Sequence, residues 1–442
     1  MTQSPDHPPI AYLLRSFPRL SQTFILHEIL ALEQLGVPLH LFAMTNPHEA
    51  VVQAQVADVQ APVAYLETGL ARPWVAQLVD HLRLFVRRPW PYIQTLWYVW
   101  RHPECDEGYT TASRYACFLQ AVDLAQRLRQ QPAGQCVAHL HAHFAHDPTL
   151  IAYLVHLLTG LSFSFTAHAR DLYQIPAAVL IARIKAARLV VTCCGANLDY
   201  LKRVTPQPLW PKFHLIHHGV NLTLFQPGPQ PTRLASPPLI LAVGRLVAKK
   251  GFADLIHACA LLKEADYAFC CRIYGEGPLH DELTAQIAQL GLTREIELAG
   301  ACTQQELVAI MQQATLFALT PYVTDDGDRD GVPNVLVEAM ACGLPVVSTT
   351  IGGIPELVAH EVNGLLAAPH AVTAIAAHLA RLLADEAVRQ RLGQAAHATV
   401  TQFFNLYNAA QRLATLFTSA NRPDTTAVPS HESFTAPQPT AQ

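Results

Sequence analysis

Apolar and polar positions follow two rhythms along this chain. Ile10 to Phe17 is a short, nearly uninterrupted apolar run, the pattern of a strand buried on both faces. Phe24 to Leu35 then repeats apolar residues at helical spacing until Gly36 stops it, and Pro38 to Met44 is a second strand. Val137 to His141, Leu161 to Ala167 and Arg188 to Thr192 read as further strands, each succeeded by a helical pattern. Alternation of this kind predicts a parallel sheet covered on both faces by helices.

The segment FQPGPQPTRLASPP, Phe225 to Pro238, breaks the rhythm with five prolines and a glycine, the chemistry of a linker. A new series starts directly after it. Strands are expected at Leu239 to Val243, Tyr267 to Tyr274, Glu295 to Ala299, Thr315 to Leu319 and Pro345 to Thr349. Helices are expected at Phe252 to Lys263, Leu279 to Leu290, Gln304 to Gln313 and from Pro333. Gln402 to Phe417 reads as a final amphipathic helix, and the last stretch is small, polar and proline-bearing, a disordered composition. The expected division is therefore a first α/β domain over 1–222, a linker over 223–238, a second over 239–400, a returning helix over 401–419 and a tail over 420–442.

Composition narrows the function classes. The 442 residues exceed one ordinary core, and 51% hydrophobic with 14% charged residues describes a well-buried globular protein. A formal net charge of -4 gives no electrostatic footprint for nucleic acid. The first residues lack the basic start and apolar core of a secretory signal, and the most apolar run, Leu150 to Phe165, is too short to span a bilayer. None of the ten cysteines stands in C-x-x-C spacing, so reduced core thiols and a cytoplasmic setting are expected.

The most informative stretch is DDGDRDGVPNVLVEAMACGLPVVST, Asp325 to Thr349. It sets Asp330 in a glycine-containing loop, Pro333 at the first helical position and Glu338 in the helix. Backbone N–H groups at that helix start, from Asn334, Val335 and Leu336, suit a diphosphate. Carboxylates on either side of it can accept hydrogen bonds from hydroxyls, the order in which a nucleotide sugar presents its groups. The run from Asp326 to Gly331 also mimics the start of a calcium loop, but position twelve is Val337 and Pro333 interrupts.

The spacing from Asp330 to Glu338, followed by A-M-A-x-G-x-P-V-V, is similar to the signature of the retaining GT-B glycosyltransferases of family four. That family usually has Glu at the first position, where this chain has Asp330. The resemblance implies that Asp330 touches the donor sugar and Glu338 the ribose. VGRLVAKKGF, Val243 to Phe252, puts Arg245 and Lys250 in a loop at a strand's carboxyl end, where two cations can neutralise a departing nucleotide diphosphate. The matching Arg and Lys of the family do so, and Gly244 lies in the same loop. YGEGPL resembles another family loop, through Gly275, and by resemblance alone Gly300 to Cys302 lies near the base.

In the first half FTAHARD ends a strand at His168, where the family places a histidine near the donor sugar, with Asp171 as its candidate partner. The spacing alone reads as an ordinary partly buried histidine. FPRLSQTF puts Ser21 and Thr23 at a helix start, as a cap, as a contact to phosphate or acceptor, or as both. HLHAHFAHD carries His139, His141 and His143 on one face of a strand. Such a row suits a metallohydrolase, and it is also similar to the family's H-x-H-F-A segment, which shapes the acceptor side. Trp74, Trp90, Trp97 and Trp100 fall with Arg83, Arg87 and Arg88 within 72–101, which suits either a membrane interface or a helical insertion packed on the first domain.

The expected fold class is thus α/β with GT-B architecture, two Rossmann-like doubly wound domains facing across a cleft. The resemblance, over roughly residues 10 to 415 and including FPRLSQTFI, HAHFA and FSFTAHARD, extends to bacterial enzymes of exopolysaccharide or colanic-acid-type assembly. It implies transfer with retention from a UDP- or GDP-linked sugar to a glycan or lipid-linked acceptor, with no cofactor and no metal. The setting expected is the cytoplasm, with the Trp/Arg-rich segment 72–101 as the candidate contact to the inner membrane face. Two alternatives stand beside it: a metal-dependent hydrolase built on the three histidines, and a sugar-nucleotide-binding protein without turnover.

Overall fold

The computed structural model describes residues 9–19, 22–49, 52–66, 73–132, 136–228 and 237–420. The chain divides into two units: one runs to Ile216 and takes up the chain again at Ala409, and the other covers His217–Asn408.

The first unit holds seven strands: β1 (Ile10–Ser16), β2 (Leu39–Thr45), β3 (Val63–Tyr65), β4 (His139–His143), β5 (Ser162–Ala167), β6 (Val190–Thr192) and β7 (Phe213–Leu215). The second holds β8 (Leu239–Val243), β9 (Cys270–Tyr274), β10 (Ile296–Gly300), β11 (Leu316–Ala318), β12 (Val346–Thr349) and β13 (Leu365–Ala367). The strand orders are β3-β2-β1-β4-β5-β6-β7 and β10-β9-β8-β11-β12-β13, and the ladders are parallel. Each sheet therefore reverses its order once, between β1 and β4 and between β8 and β11. Ligands of open α/β sheets settle in the crevice beyond the carboxyl ends of such strands. The core strands are apolar on both faces because helices cover both: every residue of β1 but Arg15 is buried.

Local chemistry sets several helix ends. Thr303 and Glu306 form a reciprocal capping box at the head of Gln304–Gln313. Ser113 caps Arg114–Arg129, and Gly160 in the left-handed region stops Asp147–Thr159. That last helix and β5 together make up the apolar run at Leu150 to Phe165.

Three expectations need correction. Pro333 is the residue before the helix Asn334–Ala341 rather than its first residue. The final amphipathic helix is Leu406–Ala420, separated by a break at Phe404 and Asn405 from an earlier helix, Glu386–Phe403, because the Asn405 side chain accepts from Tyr407 N–H and restarts the helix there. Thr23 is the first helical residue of Thr23–Gln34, and Gln22 occupies the cap position without a side-chain hydrogen bond. Ser21 lies outside the described residues, as do the linker core at 229–236 and the tail from 421.

The tryptophan-rich segment forms two successive helices, Trp74–Arg87 and Pro89–Arg101. Leu84, Thr95 and Val99 face inward, while Trp74 is 74% and Trp90 72% exposed, with Trp97, Trp100, Leu78, Leu82 and Val86 also exposed. No helix among the described residues is long and apolar enough to cross a membrane. The ten cysteines are free thiols, and Cys136 is the exposed one.

Candidate active site

In the second unit the loops that carry chemistry follow β8 and β11, the strands at which the sheet reverses. Gly251 adopts φ +68°, and a Cβ there would fall 1.7 Å from the Thr320 carbonyl oxygen, so the loop after β8 lies directly against the segment after β11. Thr320 Oγ1 donates to Gly251 O at 2.7 Å and Tyr322 N–H to Lys249 O at 3.0 Å, fixing the contact. Across the neighbouring strand ends, Gly275 has φ +142°, and a Cβ on it would lie 1.9 Å from Gly244 O. Gly275 N–H in turn donates to Gly300 O at 2.7 Å. Gly244, Gly275 and Gly300 are thus the points where three loops close on one another.

This packing brings acids and cations together. Lys250 Nζ donates to Asp330 Oδ2 at 2.6 Å. Lys249, which the sequence reading passed over, reaches Asp328 at 3.0 Å and Asp330 at 3.5 Å. Burial pushes the Asp330 carboxyl up, but the charges and hydrogen bonds of Lys250 and Lys249 outweigh it and hold the group below its ordinary value. Burial likewise works against the charge on Lys249, and Asp330 and Asp328 overcome it, raising that ammonium above its usual value. Arg245 points outward from the same loop, exposed.

Glu338 is set differently. It is buried in the second turn of Asn334–Ala341, where burial pushes its carboxyl up to about 7 against a hydrogen bond from Gln304 that works the other way. Gln304 Nε2 donates to Glu338 Oε1 at 3.2 Å. The thiol of Cys302, at the near end of that helix–loop, is raised to about 11, by burial first and then by Glu306 and Glu338. At the helix start Leu336 N–H already donates to Pro333 O at 3.0 Å, which removes it from the expected anion contacts and leaves Asn334 and Val335.

In the first unit the histidine row meets a matching row of hydroxyls. The register pairs His139 with Ser162, His141 with Ser164 and His143 with Thr166. His139 places its two ring nitrogens 2.9 Å from Ser162 Oγ and 2.6 Å from Ser164 Oγ. His141 does the same with Ser164 at 2.7 Å and Thr166 at 3.0 Å. Both rings have no exposure, and burial holds His139 down at about 3 and His141 well below its usual value. These are neutral imidazoles whose lone pairs are turned to hydroxyls rather than to a metal position. Phe417, from the part of Leu406–Ala420 that belongs to this unit, meets the His141 ring edge to face with centroids 5.0 Å apart.

His143 ends the row in other company. Its Nδ1 lies 3.3 Å from His168 Nε2 and its Nε2 2.9 Å from Glu28 Oε1, which also accepts from Tyr12 Oη at 2.8 Å. The His168 ring packs against Phe24 at 5.0 Å and Phe144 at 4.6 Å. Asp171 meets His168 through the backbone: its carboxylate accepts from the N–H groups of Ala145 at 2.7 Å, Ala169 at 2.9 Å and His168 at 3.2 Å. Burial nonetheless raises its carboxyl above the ordinary value. Asp171 therefore ties the loop after β4 to the loop after β5, and Thr23 stands one residue before Phe24 on the same helix. The sequence signal for the hydroxyl row was present in SFSFT, whose polar positions alternate in step with HLHAH. Glu28 and Gln304 gave no such signal.

Residues 229–399, which contain every one of these second-unit loops, match the family model described as glycosyl transferases group 1. The chain carries a group 1 glycosyl transferase domain. The amylovoran biosynthesis glycosyltransferase AmsK of Erwinia amylovora is 37% identical over 234 residues, 53% of this chain and 54% of that protein. WcaL of Escherichia coli, named for colanic acid biosynthesis, is 41% identical over 163 residues, 37% of this chain and 40% of that protein. The chain spans about half the length of the curated relatives it matches. HepE of Anabaena, solved in complex with UDP, superposes with a TM-score of 0.69 at 17% identity, over 93% of this chain and 100% of its own. Together with the two parallel sheets, this gives the group 1 domain and its companion the GT-B architecture.

Proposed function

We propose that this chain is a retaining, metal-independent glycosyltransferase. It moves a sugar from a UDP- or GDP-linked donor to a glycan or lipid-linked acceptor in exopolysaccharide or cell-envelope assembly. The observation that carries this reading is the Lys250–Asp330 pair at the β8/β11 reversal, with Glu338 buried in the adjoining helix. Relatives named for amylovoran and colanic acid biosynthesis support the pathway class, and the UDP complex of a structural neighbour supports the donor class.

The proposed division of labour takes its roles from the family resemblance and sets them on this geometry. Arg245 and Lys250 take the charge that grows on the leaving diphosphate, and the N–H groups of Asn334 and Val335 take its oxygens. Asp330 exchanges part of its bond to Lys250 for a donor-sugar hydroxyl, and Glu338 accepts from the ribose. Gly244, Gly275 and Cys302 line the nucleotide. In the first unit His168 works at the sugar beside the acceptor, held by His143, Phe24 and Phe144. His141 and Asp171 support that side from beneath. No cofactor takes part. The exposed tryptophans of Trp74–Arg101, flanked by Arg83, Arg87 and Arg88, rest the enzyme on the inner face of the cell membrane without crossing it.

A screen of UDP, GDP, ADP and their sugar conjugates by thermal shift and calorimetry, with EDTA present, tests the reading. One nucleotide should raise Tm and lose that effect in Lys250→Ala. No response to any nucleotide would sink it.

A further inference from the structure

Four side chains at the β1/β4 reversal are left over from the donor chemistry. Arg15, next to last in β1, is half-buried and donates from Nη1 to the Tyr109 hydroxyl at 3.2 Å. Arg170, which opens the short helix Arg170–Tyr173, lays its guanidinium over the same ring, 4.7 Å from the centroid. The His146 ring lies 4.9 Å from the Tyr109 ring. His146 is 1% exposed, and neither of its ring nitrogens has a hydrogen-bond partner among the described residues. Burying an imidazole in that state is unfavourable unless something else meets it.

The surroundings hold this cluster in place. The Asp147 carboxylate accepts from Thr111 N–H at 2.7 Å, Thr111 Oγ1 at 2.7 Å and Ala112 N–H at 3.2 Å, and Tyr109 N–H donates to Gln174 O at 2.8 Å. The segment carrying Tyr109 is thereby clamped at both ends. Arg183 Nη1 donates to the carbonyls of Ala145 at 2.5 Å and His146 at 3.1 Å, fixing the loop after β4. The two acids beside this loop, Asp147 and Asp171, turn their oxygens to these N–H and hydroxyl donors. Arg15 has no carboxylate partner among the described residues. The Phe144 ring bridges the cluster to His168, 5.5 Å from the His146 ring and 4.6 Å from that of His168.

We propose that Arg15, Tyr109, His146 and Arg170 form a subsite for an anionic group of the acceptor, a phosphate or a carboxylate. The inference rests on the reading of the first unit as the acceptor side. Two guanidinium groups sharing one phenol present forked donors to an oxyanion, and Tyr109 and the His146 N–H supply further donors to its oxygens. The position is the crevice that this sheet topology provides. A phosphate would come from a lipid-linked acceptor, a carboxylate from an acidic sugar.

The test is calorimetric titration of the full chain with inorganic phosphate, with sodium glucuronate and with glucose as the neutral control. At least one anion should bind saturably while glucose gives no binding. Arg15→Gln and Arg170→Gln should each weaken that binding about tenfold or more, in titrations run with UDP at saturation so that the donor site is occupied. Preference for phosphate assigns the lipid-linked class, and preference for glucuronate the acidic glycan. Absence of anion binding, equal binding by glucose, or full binding in both arginine variants would each overturn the subsite. UDP binding is measured on the same samples. Its retention in the arginine variants shows that they fold, and its failure in the unaltered chain removes the donor reading while leaving the anion result intact.

Discussion

The two sheets reverse their order in the same way but treat charge at the reversal in opposite ways. At β8/β11 two lysines face two aspartates: Lys250 and Lys249 hold Asp330 below its ordinary value, and Asp330 and Asp328 raise Lys249 above its own. Beside β1, along β4 and β5, three imidazoles are sunk in the core, and His139 and His141 are kept neutral by burial against serine and threonine hydroxyls. The contrast separates two uses of buried polarity. A paired set of full charges can be redistributed when a charged ligand arrives, because a new anion competes for the same cations. A closed set of neutral hydrogen bonds has nothing to exchange, and it serves to fix strand register and ring orientation. Arg15, near the end of β1, departs from both patterns as a cation without an acid among the described residues.

The largest expected effect comes from breaking the charged set. Lys250→Ala should lower kcat/KM for the donor by roughly 10²–10³, the scale of losing one preorganised charge donor. Lys249→Ala should cost much less, under about tenfold, because Lys249 reaches Asp330 only at 3.5 Å and its closer partner is Asp328. Steady-state kinetics on both variants decide the matter. Equal losses would show that the two lysines act as one cation pool and that the distance difference is irrelevant.

Glu338 sharpens the comparison, since it is an acid of the second unit that lacks a cation. Its folded carboxyl sits at about 7 against an ordinary 4.5, so the folded state holds the proton more tightly than the unfolded chain. The associated penalty begins as pH rises past the ordinary value and is complete above about 7, where it amounts to ~3 kcal/mol. Glu338→Gln should therefore stabilise the unliganded protein by up to ~3 kcal/mol at pH 8 and give almost no gain at pH 4. Denaturant titrations at the two pH values measure it. The same variant should bind nucleotide more weakly, the trade expected where a site holds a buried charge for its ligand.

These particulars show what the sequence could and could not display. Strand and helix alternation and the run of residues in the acid and lysine loops were legible, because each depends on residues close together in the chain. Within those loops, the pairing of Lys250 with Asp330 was not: it arises when β8 and β11 become neighbours, 80 positions apart. Gln304 reaches Glu338 for the same reason, from a helix after β10. The short strands β3, β7 and β13 were not expected, whereas β6 and β11, also three residues each, lay within longer apolar runs that the sequence displayed. The boundary at Pro333 slipped by one residue, within the margin that helix ends allow. The histidine row invited a metal because its partners lay in a different segment. Only the parallel register of β4 on β5 matched the rings of His139 and His141 to hydroxyls.

Breaking the neutral set should have a smaller and different effect. Ser164 Oγ lies between His139 Nε2 at 2.6 Å and His141 Nδ1 at 2.7 Å. Ser164→Ala strands one nitrogen on each of two buried rings and should cost about 1–3 kcal/mol of stability. Nucleotide binding should be unaltered, since it depends on the second unit. Thermal unfolding with and without UDP checks both parts. A loss below ~0.5 kcal/mol would mean that the hydroxyl row is ornamental to the fold.

The smallest effect tests whether Glu338 meets its ligand as a base. A ribose hydroxyl donates to a carboxylate, so nucleotide binding selects the ionised form, and the unliganded group is half protonated at about 7. Above that pH the carboxyl is already ionised and the affinity should be flat. As pH falls below it, each binding event must expel a proton, and affinity should fall by up to about tenfold per pH unit. Asp330, held below its ordinary value by the two lysines, is ionised throughout and adds no slope between pH 6 and 8. His139 and His146, both held at about 3, stay neutral across the same interval. Calorimetry with UDP-glucose, whose diphosphate diester does not titrate in this range, over pH 6 to 8 therefore reads Glu338 in the unaltered chain, and Glu338→Gln should abolish the slope. Affinity that rises as pH falls would mean the opposite protonation state binds, with Glu338 donating to the ligand as a neutral acid. The two acids of the second unit would then act by different chemistry, one as a permanent anion paired to lysine and the other as a buried proton donor.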